Sequence, residues 1–157
     1  METTRHFTAT AYVVNAEATA LHEHPKLDMW LPPGGHLARD ELPHHAAIRE
    51  VREETGLEVN LVQTTEGVAS STARPIPQPA TIMLEDIDIH DGTVAHQHID
   101  FIYYATASDR SIDPLDNHVS QGDWEWFDRH QLPEDPRLEP DVREQAIAAI
   151  DTVAEEH

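Results

Sequence analysis

Between residues 35 and 57 the chain reads GHLARDELPHHAAIREVREETGL, and no other stretch restricts its fold as tightly. Gly35 is followed after five residues by Glu41, and after seven more by Arg49 and Glu50. Val51, the pair Glu53 and Glu54, then Gly56 and Leu57 complete the pattern. Residues three and four apart share one helix face, so Glu50, Glu53 and Glu54 project together and Arg49 meets Glu53. Like charges at that spacing cost an isolated helix about 0.2 to 0.5 kcal/mol per pair. Three carboxylates on one face therefore call for a cation. Oxygen-only ligands suit a hard divalent ion, in phosphate chemistry Mg²⁺, with Mn²⁺ as the substitute.

The flanks fit the same purpose. Trp30 and Leu31 read as a short strand stopped by Pro32 and Pro33, and Gly34-Gly35 as a loop whose backbone can approach a ligand closely. Pro43 suits a first helical turn, Ala46, Ala47, Ile48 and Val51 supply an apolar side, and Gly56 suits a left-handed C-terminal cap. A helix is predicted over residues 43–55. Leu42 before it has no side-chain oxygen to cap the first amides, leaving that task to Asp40 or Glu41.

This arrangement of Gly35, Glu41, Arg49, Glu50, Glu53, Glu54 and Gly56 is a complete Nudix box, and the chain resembles the Nudix hydrolase family. The resemblance implies Mg²⁺-dependent hydrolysis of a nucleoside diphosphate linked to another moiety, with a nucleoside triphosphate or an ADP-ribose-type molecule as the substrate. By resemblance Glu50, Glu53, Glu54 and the Gly34 carbonyl are metal ligands, Arg49 orients the carboxylates, and Glu41 is the outer-shell acid of the box. Glu50 is favoured as joint ligand and general base, with Glu85 or Asp123 the next choices and Asp100 and Glu125 also candidates. Two other classes share the fold. A non-catalytic nucleotide or sugar-nucleotide sensor would have lost box residues, which are intact here, and an isoprenoid diphosphate isomerase would use a Cys, which the chain lacks.

Composition bounds the remainder. A chain of 157 residues is expected to form a single domain, 1–157. It has neither an 18-residue apolar run nor a basic, apolar leader at its N-terminus, so a cytoplasmic protein without membrane association is expected. A net charge of −20 argues against a polynucleotide partner and for a small-molecule nucleotide. Lys26 is the only lysine, and the acidic residues are dispersed along the whole chain, a pattern that fits a surface adapted to high salt. A homodimer is the commonest state for soluble enzymes.

Outside the box, strands are predicted at residues 7–15, 21–24, 80–90, 98–105 and 124–127, with one or two more within 58–69. The 80–90 and 98–105 pair turns at Asp91-Gly92, imperfectly, since six or so residues intervene. A last helix is predicted over 141–155, with Val142, Ala146, Ile147, Ile150 and Val153 on its apolar side. Strands, helix, strands, helix favour an α/β (α+β) fold, an α/β/α sandwich with a mixed β-sheet between helices, as the resemblance also implies. The run 70–79, with three prolines, reads as a stiff loop that either touches substrate or merely connects strands.

Twelve histidines need an account. His22 with His24, and His96 with His98, are i,i+2 pairs on one side of a strand, serving either a transition-metal site or a strand end or pocket. His98, Asp100 and Tyr103 or Tyr104 are candidate contacts to a base or sugar. His44 and His45 are expected in solvent, and Trp30, Trp124 and Trp126 in the core. The particular substrate is not legible: Pro75, eighteen residues after Leu57, is displaced from the position of an ADP-ribose-type mark.

Overall fold

A computed structural model describes residues 2–116 and 118–156. The elements run β1 (Thr4–Asn15), β2 (Ala18–Glu23), β3 (Trp30–Leu31), β4 (Gly34–His36), α1 (Pro43–Thr55), β5 (Val59–Leu61), β6 (Thr81–His90), β7 (Thr93–Ala107), β8 (Trp124–Asp128) and α2 (Pro140–Glu156). The sheet order is β3-β2-β1-β7-β5, with β4 also pairing β1, β6 pairing β7 and β8 pairing β2. β1 and β7 run parallel from Thr4 opposite His96 to Val14 opposite Thr106, and the other pairings are antiparallel. The sheet is therefore mixed, as expected.

Alternation along β1 and β7 divides the core. Ala9, Ala11, Val13, Tyr103 and Ala105 pack with Ala46, Ala47 and Val51 of α1. Tyr12, Val14, Ile102 and Tyr104 pack with Val142, Ala146, Ala149 and Ile150 of α2. The two central strands are thus covered by a helix on each face, which explains why their apolar residues run nearly without interruption. This is the α/β/α arrangement that the order of elements favours.

α1 has the expected bounds. Pro43 opens it, Leu42 makes no side-chain cap, and Gly56 closes it at φ 75° with its N–H donating to the Arg52 carbonyl. The segment after β7 is tied to this end: Asp113 N–H donates to the Thr55 carbonyl, and Leu115 and Asp116 N–H donate to the Glu53 carbonyl. Carbonyls that the helix leaves unpaired are so satisfied by a loop some 60 residues away in the chain.

Three expectations change. β7 begins at Thr93, so Asp91 and Gly92, at φ 49° and 79°, form a tight two-residue turn between long strands. The polar run from His96 to His98 belongs to this strand, held between β6 of the same hairpin and β1, which lies far away in sequence. Gly34 and Gly35 belong to β4, a short strand on β1, instead of a loop. The 58–69 region provides β5 alone, within the one or two strands expected: beyond it Val62 N–H still reaches the Tyr104 carbonyl, but Val68 is 96% exposed.

Candidate active site

α1 presents its carboxylates at the end of the sheet where β4 runs. Arg49 is the hub. Its Nε and Nη2 donate to the two oxygens of Glu41 at 2.8 and 2.9 Å, Nη1 donates to Glu50 at 2.9 Å and Glu53 at 3.0 Å, and Nη2 also reaches the His36 carbonyl at 3.1 Å. The guanidinium fork spends all five N–H groups on this one task. Glu41 in turn accepts from the Ala38 N–H, and the Arg49 hydrogen bonds hold its carboxyl below the usual range. The box acid thus anchors the arginine that sets the positions of Glu50 and Glu53.

Glu54 lies on the same helix face without an arginine. It is buried, accepts from the Gly34 N–H at 2.8 Å, and has its pKa pushed up to about 8 by burial and then by the charge of Glu50. Burial also raises Glu50, against the opposing pull of Arg49. Gly35 packs so closely that a Cβ there would stand 2.6 Å from Glu50 Cδ. A buried and a half-buried carboxylate, both raised by burial, with a backbone amide and a glycine pressed against them, form an all-oxygen donor set that fits a hard divalent cation.

The sequence reading missed Asp116. Its charge acts on both Glu50 and Glu54, because the hydrogen bonds to the Glu53 carbonyl carry its loop across the end of α1. One acid in so acidic a chain gave no signal of this, since its approach depends on the loop's docking.

A cavity of about 540 Å³ adjoins the cluster, lined by Gly34, Gly35 and Glu54 and also by His98, Asp100 and Glu85. Asp100 is buried and accepts from Thr8 Oγ1 at 3.0 Å and Thr10 Oγ1 at 2.9 Å. Burial and then the Asp100 charge raise Glu85 well above the carboxylate range, so Glu85 keeps its proton and hydrogen-bonds to Asp100. His98 is lowered to about 4, chiefly by burial and then by His36 and His96, and so faces the cavity as neutral imidazole.

Other candidates fall elsewhere. Tyr103 is buried among the α1-side residues, on the opposite face from His98 and Asp100, because it is an odd number of residues from both. Tyr104, on the α2 side, donates its hydroxyl to Gln145. Asp123 is exposed and accepts from Ser120, and Glu125 is paired with Arg137 at 2.8 Å; neither lines the cavity. No residue of 62–80 lines it either. His24 caps a turn, accepting from Lys26 and Leu27 N–H, while His22 is buried against Trp124 with Nδ1 unpartnered. His45 is exposed, but His44 is half-buried, against expectation. Trp124 is buried, Trp30 packs on Phe127, and Trp126 donates to the Arg110 carbonyl, in keeping with structural roles.

The NUDIX domain family model matches residues 4–149. Among solved structures, a NUDIX-family hydrolase from Clostridium perfringens is similar at 29% identity and a TM-score of 0.80, over 95% of this chain and 98% of that one. A UDP-X diphosphatase shares the fold at 17% identity and a TM-score of 0.61, over 100% of this chain and 66% of that one. A MutT NUDIX hydrolase from Burkholderia pseudomallei does so at 18% and 0.60, over 95% and 98%. No curated protein matches the chain.

Proposed function

The chain belongs to the NUDIX family, hydrolases of pyrophosphate bonds, and from that premise we propose that it cleaves a nucleoside diphosphate linked to another moiety, using Mg²⁺. The observation that carries this reading is the Arg49 hub, which gathers Glu41, Glu50 and Glu53 beside Glu54 at the wall of a cavity of nucleotide size. A nucleoside triphosphate and an ADP-ribose-type molecule are the substrates considered, and Mn²⁺ is the alternative ion.

Glu50, Glu53, Glu54 and the Gly34 carbonyl would hold the ion. Bound there, it supplies neutralisation of charge on the phosphate oxygens and a more acidic water. Arg49 keeps Glu50 and Glu53 in place, while Glu54 would have to give up its proton to hold a cation. Glu50 takes the proton of the attacking water as the phosphoanhydride P–O bond breaks, releasing a nucleoside monophosphate and a phosphorylated remainder. Glu85 is the second choice of base and would first have to release the proton that burial and the Asp100 charge favour on it. Asp123 ranks below both, since it is exposed and does not line the cavity. Asp100 and His98, also on the cavity wall, are the proposed contacts to base or sugar.

A single domain over 1–157, a cytoplasmic location and a homodimer complete the reading. None of the described helices is long and apolar enough to cross a membrane. Exposed Phe7, Ile82 and Leu84 share one face of the sheet and favour contact with a second copy.

The test is a panel: deoxynucleoside triphosphates, oxidised purine nucleotides, ADP-ribose, dinucleoside polyphosphates and NADH, each with Mg²⁺ and with Mn²⁺, read as nucleoside monophosphate released. Turnover of at least one is expected, with Glu50→Gln slower by about 100-fold or more. Absence of turnover throughout, or a Glu50→Gln rate within about threefold of wild type at saturating Mg²⁺, would overturn the assignment.

A further inference from the structure

At the rim of the cavity, the strands bring four imidazoles together on one face. In the β1–β7 register His6 stands opposite His98 and Thr4 opposite His96, and in the β1–β4 register Thr8 stands opposite His36. All of these positions point the same way by the two-residue period. His6 lies 4.6 Å from His96 and 5.3 Å from His36 between ring centroids. His98 is 4.8 Å from His36 and 5.1 Å from His96.

We propose that His6, His36 and His96 form a second metal site, for a borderline transition-metal dication of the Zn²⁺ class, distinct from the hard-cation site on α1. One ring nitrogen from each of the three lies within 4.8 Å of the others. Around a tetrahedral Zn²⁺ with Zn–N of about 2.0 to 2.1 Å, ligand nitrogens sit about 3.4 Å apart, so side-chain rotations that bring them up to about 1.4 Å closer together close the site. Imidazole nitrogen selects this class of ion over Mg²⁺, whereas the carboxylates of α1 suit a hard cation as well. His6 and His36 are exposed and His96 is half-buried, which leaves the site open to an incoming ion.

His96 also has the support that a ligand histidine needs. Its Nδ1 is 2.8 Å from Thr4 Oγ1, and that hydroxyl lies 3.3 Å from the Ala95 carbonyl. When the hydroxyl donates to the carbonyl, Nδ1–H donates to the hydroxyl oxygen and Nε2 presents its lone pair. The three ligands come from β1, β4 and β7, so the ion would fasten three strands at one point. A three-protein-ligand set leaves the fourth position to water.

Untagged protein, stripped with EDTA and returned to excess Mg²⁺, should bind a single equivalent of Zn²⁺ or Co²⁺ per chain. Co²⁺ should give the intense visible absorption of a four-coordinate ion, abolished by Zn²⁺. His6→Ala and His96→Ala should each weaken Zn²⁺ binding by at least about tenfold, measured calorimetrically, with circular dichroism in EDTA as the control for folding. Glu54→Gln should leave the binding unchanged, which separates this site from the hydrolytic one. Wild-type Co²⁺ spectra that stay those of a six-coordinate ion, folded His variants that bind Zn²⁺ as tightly as wild type, or loss of the ion in Glu54→Gln would each overturn the proposal. If the His variants do not fold, the wild-type Co²⁺ spectrum decides alone.

Discussion

Glu54→Gln should make the metal-free protein more stable, and increasingly so as pH rises. Of the three carboxylates on α1, Glu54 is the most buried, with a folded-state pKa of about 8 against 4.5 for the free group. Between those values the folded protein holds a proton that the unfolded chain has released, so stability contributed by this group is full below about pH 4.5 and lost as pH rises through 8. Each pH unit in that window removes about 1.4 kcal/mol, giving about 5 kcal/mol in full and about 3 to 4 kcal/mol between pH 5 and pH 8. Gln is neutral throughout and its amide oxygen still accepts from the Gly34 N–H, so the variant lacks this slope. Urea unfolding in EDTA at half-unit pH steps, wild type against Glu54→Gln, isolates the term, because every other titrating group is common to both. The stability difference should swing by about 3 to 4 kcal/mol in favour of the variant from pH 5 to pH 8. Saturating Mg²⁺ should then stabilise wild type more than the variant. Two EDTA curves that keep a constant separation within about 0.5 kcal/mol over that range would refute the reasoning, since Glu54 would then ionise freely in the fold.

Gly35→Ala should leave the fold intact but reduce Mg²⁺ affinity and turnover by at least about tenfold, because its Cβ displaces a side-chain carboxylate, that of Glu50, instead of backbone. Equal Mg²⁺ titrations for the two proteins would count against it. Gly56→Ala meets both a φ of 75° and the Asp113 carbonyl oxygen, so a loss of about 2 to 4 kcal/mol in urea unfolding is expected. If the dispersed acidity is a high-salt adaptation, the melting temperature should rise between about 50 mM and about 2 M KCl, and equal melting temperatures would sink that idea.

The box helix was legible because its signals are local. Pro43 and Gly56 mark its ends and the apolar positions between them repeat with helical period, so tertiary context had nothing to overrule. The row of carboxylates came with it. The cavity did not, because its wall depends on register. Which of Tyr103 and Tyr104 faces α1 is undetermined in a strand buried on both sides, and the Glu85–Asp100 contact exists only because Met83 stands opposite Asp100 and Glu85 opposite His98. Asp116 likewise reaches the cluster only through hydrogen bonds at the far end of α1.

The parallel pairing of β1 with β7 also sets an order of assembly. Thr8 and Asp100, hydrogen-bonded at the centre of the sheet, are 92 residues apart, and closing so long a loop costs entropy before any contact rewards it. The partners of Arg49, by contrast, all lie within 13 residues of it. During synthesis the hub and its carboxylates can therefore come together while β1 still waits for the strand that completes the cavity. The acidic row is held by its own arginine through that interval, so the chemistry of the site is assembled first and its recognition surface last.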